Sequence, residues 1–383
     1  MKRSTDRILT THCGSLARPN DLLLMIQAKV AGQPYDEAAF DARVRSAVAE
    51  SVAHQAQLGI DVVNDGEQGK DSFVAYIGNR LTGLEPAAEQ SLTTTMMRRS
   101  KEIETFREYY EEYYFKPRSA NRIAGALQMV CTGPVSYKGQ DAVHADIANL
   151  KAGLAGLAVE EAFLPASAPR GMAGNRYYRT FEEYIFAVAE AMHEEYKAIT
   201  DAGFLLQIDD PALTVAYGRD TEMAGETYVE AINHALRGIP AEQVRFHTCY
   251  GINEGPRVYD TPLADVLPLM YKINACAYSF EAANPRHEHE WRAFKDVRLP
   301  EGKVIIPGVI THTTNVVEHP RLVADRIIKY AEVVGRENVI AGADCGFCSE
   351  ARFHPDVHPT VVWAKFEALV EGARIATKEL WRR

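Results

Sequence analysis

Eight short apolar runs recur along the chain, and each ends in a polar or glycine-containing break. They are Ile8–Cys13, Ile60–Asn64, Ala124–Cys131, Phe204–Ile208, Val244–Cys249, Ala275–Phe280, Val304–Val309 and Asn338–Ala343. Runs of this length, rich in β-branched and aromatic residues, read as strands. Several of the segments between them carry helix signals. Asp36 caps a helix with Phe40, Val44, Val48 and Val52 on one face and Gly59 at its end; Thr180 opens another through Tyr184, Val188 and Met192 toward Gly203; a third runs from Glu318 to Gly335. Strands alternating with helices imply an α/β fold with a parallel sheet, and eight such units close into a (β/α)8 TIM barrel. No glycine-rich fingerprint follows an early strand, which weighs against an open doubly wound sheet.

At 383 residues the chain suits one (β/α)8 barrel catalytic domain over 1–383 with insertions. Two stretches break the rhythm. Residues from about 85 to 120, charged and aromatic, read as an insertion that partly covers the site, and residues from about 165 to 178, rich in Pro, Gly and Arg, read as a long loop. The 42 basic and 52 acidic residues give a net charge of −10 with no long basic run, so nucleic acid is not an expected partner. No apolar run reaches the roughly 18 to 20 residues of a membrane span, and Met1–Asp6 lacks the apolar segment of a signal peptide. A cytoplasmic enzyme without membrane partners is expected. The oligomeric state is open, a homo-oligomer included.

In a barrel the active site lies at the C-terminal ends of the strands. Those ends hold Ser15, Glu67, Asp209, His247, Cys249, Glu281, His312 and Cys345. His247 and Cys249, two apart, with Glu281 and Cys345 after later runs, offer N, S and O donors of the kind zinc takes at about 2.0 to 2.3 Å. Taken singly, each has a plainer reading: a free Cys is also a small core hydrophobe, Glu67 and Asp209 could be solvated or capping acids, and His312 could be a structural loop histidine. His12 competes with His312 as a proton donor, and Arg257 and Arg286 could recognise a sulfonate or carboxylate. The six cysteines, at 13, 131, 249, 276, 345 and 348, are too few and too scattered for a disulfide framework. Cys348, in a C-x-x-C with Cys345, reads as a bystander.

These stretches carry a resemblance that covers nearly the whole chain. The sequence resembles the C-terminal, zinc-bearing barrel of cobalamin-independent methionine synthase, and more closely its single-barrel relatives, which include epoxyalkane:coenzyme M transferases. The most specific parts are His247-Thr248-Cys249, Ser279-Phe280-Glu281 and Asp344-Cys345-Gly346. Thr11-His12-Cys13-Gly14-Ser15, Asp65-Gly66-Glu67, Thr132-Gly133-Pro134-Val135 and Gln207-Ile208-Asp209-Asp210-Pro211-Ala212 support them.

The resemblance implies His247, Cys249, Glu281 and Cys345 as ligands of Zn2+. It also implies Ser15, Glu67 and Asp209 as residues that hold the amino-acid part of homocysteine. The chain departs from the full-length synthase in having one barrel, and in Lys138-Gly139-Gln140 where the synthase places a folate-stacking Trp, so the alkyl donor stays open. The implied activity is zinc-dependent S-alkylation of a small-molecule thiol, as a methyltransferase acting on homocysteine or a related thiol; His312, from its place after the seventh run, is the candidate catalytic proton donor. The alternatives are thiol addition to an epoxide and, in another class, a zinc hydrolase.

Overall fold

The structure is a computed structural model that describes residues 1–73, 75–87, 101–115, 129–169, 173–215, 225–251 and 255–381. Its strands, in chain order, are β1 (Leu9–Thr10), β2 (Val62–Asn64), β3 (Leu84–Pro86), β4 (Met129–Cys131), β5 (Glu161–Ser167), β6 (Ala173–Asn175), β7 (Leu205–Asp209), β8 (Val244–Thr248), β9 (Ala277–Phe280), β10 (Val304–Ile310) and β11 (Ile340–Ala343). Eight of them form one parallel sheet in the order β1-β11-β10-β9-β8-β7-β5-β2. A parallel bridge between Thr11 and Val62 joins the two outer strands and closes the ring. The fold is a (β/α)8 TIM barrel.

The run Ala124–Cys131 is not one of its staves. Residues 121–128 lie outside those described, and Met129–Cys131 forms β4 of a side sheet, antiparallel to β3 and parallel to β6. The stave that sequence reading passed over is β5, whose last three residues fall in the stretch read as a loop from about 165 to 178. Pro165 explains the oversight, since a proline argues against a central strand. Here the ladder with β2 stops at Phe163, so by Pro165 only β7 is paired with the strand. The insertion from about 85 to 120 is described only in part. Residues 101–115 are helical, and residues 88–100 and 116–120 lie outside the described set.

The helix signals hold. Asp36 accepts the Ala39 N–H at 3.0 Å and opens Glu37–Leu58; Thr180 accepts the Glu183 N–H at 3.0 Å and opens Phe181–Asp201; Pro320–Val334 ends at Gly335. Their apolar faces pack on the outside of the barrel as one large core. Inside, two apolar groups fill the N-terminal end: Leu9, Ala277, Val304, Ile306 and Ile340 on one side, Val62, Phe163 and Leu205 on the other. Above them the inward positions turn polar, as Arg245 and His247 on β8 and Gln207 and Asp209 on β7 illustrate. That switch confines the chemistry to the C-terminal mouth. No described helix is long and apolar enough to cross a membrane.

Candidate metal centre and adjoining carboxylate pair

His247 is the penultimate residue of β8 with Cys249 just beyond the strand, and Cys345 follows β11 by two residues. Although these strands are not neighbours in the sheet, their donors converge: one ligand atom each of His247, Cys249 and Cys345 lies within 4.8 Å of the others, and all three residues are buried. The imidazole is preset for a metal. Its Nδ1 is 3.0 Å from Ser279 Oγ on the adjacent strand, and its Nε2 is buried with no hydrogen-bond partner. A second-atom contact of this kind fixes the tautomer of a metal-binding histidine. Burial, then Arg245 and His312, pushes the His247 pKa down to about 3, so the ring is neutral and able to donate a lone pair. The facing Cys249 thiol and burial push the Cys345 thiol up. Two buried cysteine sulfurs and a neutral imidazole are a soft donor set that fits zinc.

Glu281 is not in that group. It follows β9 and is fully buried, but its oxygens are engaged elsewhere: Oε1 accepts the Tyr250 N–H at 2.7 Å, and Oε2 accepts Asn284 Nδ2 at 2.9 Å and Arg286 Nη2 at 3.2 Å. Arg257 and Arg286 are likewise turned inward, both paired with Asp260. Asp344, next to Cys345, is an organiser that sequence reading did not single out. Its Oδ1 accepts the N–H groups of Ala282 and Ala283, each at 2.7 Å, and its Oδ2 accepts Asn284 N at 3.0 Å. This carboxylate thereby ties the Cys345 strand end to the Glu281 strand end. Gly308 on β10 makes room for it, since a Cβ there would stand 2.6 Å from the Asp344 Cα.

Glu67, after β2, and Asp209, at the end of β7, are both buried at the same mouth. Glu67 is the one described non-glycine residue with positive φ, 54°. Asp65 Oδ1 accepts its N–H at 2.9 Å and Arg18 Nη2 donates to its carbonyl at 2.9 Å, so this costly backbone state is held from both sides. Glu67 Oε2 is buried without a hydrogen-bond partner. Burial pushes both carboxyls up, and for Asp209 the negative Glu67 is the next cause. Gln207 Nε2 steadies Asp209 at 2.7 Å. Lys70 opposes the upward shift of both carboxyls.

Ser15, on the loop after β1, is buried against Ser349, with Oγ atoms 3.1 Å apart, and packs on Gly346 beside Cys345. A side chain at 346 would collide with the serine hydroxyl. His312 follows β10, is buried, and lies near enough to His247 to depress its pKa. Its loop is anchored by Glu318, which accepts the Thr311 N–H at 2.8 Å and pairs with the fully buried Lys365 at 2.8 Å. His12 is a different case: Nε2 contacts Gln55 Oε1 at 2.8 Å, Nδ1 accepts the Gly14 N–H at 3.3 Å, and burial lowers its pKa to about 4. It is a structural histidine. All six cysteines are free, and the Cys348 thiol donates to Glu350 O at 3.2 Å, which fits a bystander.

Residues 8–105 and 160–356 match the family described as cobalamin-independent synthase, catalytic domain. The chain belongs to this family. The family match leaves out 106–159, the stretch that contains β4, in keeping with that strand lying outside the barrel. Among its relatives, a protein named methionine synthase from Saccharolobus islandicus is 26% identical over 387 aligned positions, covering 98% of this chain and 96% of the relative. Another, from Sulfurisphaera tokodaii, is 25% identical and covers 97% and 93%. The structure of a B12-independent methionine synthase from Shewanella sp. W3-18-1, in complex with selenomethionine, superposes with a TM-score of 0.73 over 98% of this chain and 100% of that one, at 21% identity. That superposition bears on the fold.

Proposed function

We propose that the protein is a zinc-dependent methyltransferase that alkylates the sulfur of homocysteine. The observation that carries this reading is the pairing, at one barrel mouth, of the His247–Cys249–Cys345 donor group with the buried Glu67–Asp209 pair. A substrate bearing both a thiol and an ammonium answers both halves. The relatives named methionine synthase, collinear with nearly the whole chain, support the same substrate.

His247, Cys249 and Cys345 would hold the zinc, with Glu281 as a further donor within the same mouth. When bound, zinc supplies a Lewis-acidic centre that favours the nucleophilic thiolate over the thiol at neutral pH. Glu67 and Asp209 grip the ammonium of homocysteine and so aim its sulfur. Ser15, beside Cys345, offers its hydroxyl to the substrate carboxylate. The sulfur then attacks the methyl carbon of the donor: a carbon–sulfur bond forms as the bond from carbon to the leaving atom breaks, and that atom departs with the electron pair. His312 delivers the proton the leaving atom needs.

Substrate screening tests this. The zinc-loaded protein is offered homocysteine, coenzyme M or glutathione together with methyl donors or epoxides, and the products are identified by mass. Methionine is the expected product. Preferential alkylation of a thiol without an amino group would overturn the homocysteine assignment.

A further inference from the structure

The Ser15 hydroxyl does not stand alone at the mouth. Ser349, on the loop after β11, places its Oγ 3.1 Å from Ser15 Oγ, and both residues are buried. Among the described residues, each hydroxyl has the other as its one hydrogen-bond partner. In such a pair one O–H donates and the other oxygen accepts, so one O–H is left over, and a buried O–H needs an acceptor. The pair lies over Gly346, which directly follows Cys345. A Cβ at 346 would stand 3.0 Å from Ser349 Oγ and collide with Ser15 Oγ, so the glycine makes the room for both.

Three loops are stitched together so that this pair adjoins Glu67. Leu16 N donates to Gly66 O at 3.0 Å, Phe347 N to Ser15 O at 3.0 Å and Phe73 N to Ser349 O at 3.1 Å. Arg18, itself buried, turns its guanidinium to the same loops: Nη1 donates to Leu16 O and Cys348 O, and Nη2 donates to Glu67 O and Lys70 O, each at 2.9 Å. A guanidinium is a rigid fork of donors, so these bonds hold the loops after β1, β2 and β11 in one arrangement. The Glu67 carboxylate reaches back toward the serines, since a Cβ at Gly14, next to Ser15, would stand 3.0 Å from Glu67 Oε1.

An α-amino acid carries its ammonium and its carboxylate on the same carbon, so a receptor for one must have the receptor for the other close by. We propose that Ser349 is a specificity-determining residue that binds the carboxylate of the amino-acid substrate together with Ser15, as the second donor of a two-hydroxyl clamp. A carboxylate is an acceptor only, with two oxygens, so both O–H groups can turn from one another to the ligand. The inference rests on the homocysteine reading above.

Calorimetry on the zinc-loaded full chain tests it without turnover and whatever the methyl donor is. The ligands are methionine, the thioether amine that is methionine without its carboxylate, and the thioether acid that is methionine without its amino group. Ser349→Ala should weaken methionine and the thioether acid by about tenfold or more, the loss expected of a hydrogen bond to a charged group. It should leave the thioether amine close to the native value. In a Ser15→Ala background, Ser349→Ala should weaken methionine further, because the second hydroxyl donates on its own account.

Equal losses for methionine and the thioether amine would make Ser349 merely structural and overturn the inference. So would no loss for methionine, or no further loss once Ser15 is alanine. Should Ser349→Ala fail to fold, Ser349→Gly removes the same hydroxyl and decides on the same terms. The native chain separates the two layers. If it binds the thioether amine as tightly as methionine, no carboxylate is recognised and the homocysteine reading fails as well; if it favours methionine and Ser349→Ala keeps the whole preference, only the role of Ser349 fails.

Discussion

The two halves of the barrel mouth solve opposite versions of one electrostatic problem. At the His247–Cys249–Cys345 end, one imidazole nitrogen and two sulfurs, all buried, face one another. At the Glu67–Asp209 end, two oxygen acids are pushed up by burial, and Asp209 also by the negative Glu67. The donors differ in kind: soft nitrogen and sulfur are the type that zinc takes, and hard carboxylate oxygens are the type that accepts hydrogen bonds from a cationic group. Their supports differ as well. At the metal end His247 is set by regular strand geometry, with Ser279 on the adjacent strand orienting it. The acid end depends on a strained residue, Glu67, that Arg18 and Asp65 keep in place. Each end thus draws on both strand and loop: His247 and Asp209 lie in β8 and β7, while Cys249, Cys345 and Glu67 lie past strand ends.

If the division is real, substitutions at the two ends should fail in different ways. The largest effect belongs to the metal end. Cys249→Ser or Cys345→Ser should lose most of the bound zinc by metal analysis and about a thousandfold or more in turnover, because a Lewis-acid centre contributes several kcal/mol. Unchanged zinc in both variants would erase the metal end. At the acid end, Glu67→Gln should keep its zinc and instead raise the KM for homocysteine roughly 10- to 150-fold, the equivalent of a charge-assisted hydrogen bond of roughly 1.5 to 3 kcal/mol. Steady-state kinetics give the answer directly. A Glu67→Gln variant that loses zinc but leaves the KM alone would show that the two ends are not divided as described.

Much of this arrangement was readable in the sequence because barrel strands end where chemistry begins. His247, Cys249 and Cys345 could be placed from short apolar runs and the breaks after them, with no knowledge of which strands neighbour one another. β5 was hidden by Pro165, whose missing N–H is tolerated where the β2 ladder has already ended, while Met129–Cys131 imitated a stave from within the side sheet. The run count therefore came out at eight for a partly compensating reason. Contacts across the mouth were not readable. Ser279 and Asp344 stood inside conspicuous motifs, but their roles depend on side-chain approach between strands far apart in the chain. The occupation of Glu281 by Arg286 depends on a loop path that no periodicity encodes. A further signal was available in the alternation along single strands, since Arg245 with His247 and Gln207 with Asp209 point to one interior face.

Proton release on ligand binding tests the two-ended mouth most directly. Calorimetry of the zinc-loaded chain in buffers of different ionisation enthalpy measures it for three ligands: homocysteine, methionine, and a thiol lacking an amino group. A bound thiolate releases close to one proton at neutral pH, because the free thiol, with a pKa of about 8.5, is mostly protonated there. The acid end adds a second source of the same sign. Both carboxyls lie above their ordinary values before ligand arrives, an ammonium between them lowers both, and a lowered pKa sheds whatever proton the pair still carries at that pH. Methionine should therefore release only the acid-end fraction, the plain thiol only the sulfur proton, and homocysteine their sum, with the acid-end fraction reduced in Glu67→Gln. Saturable homocysteine binding with no proton release would contradict the account.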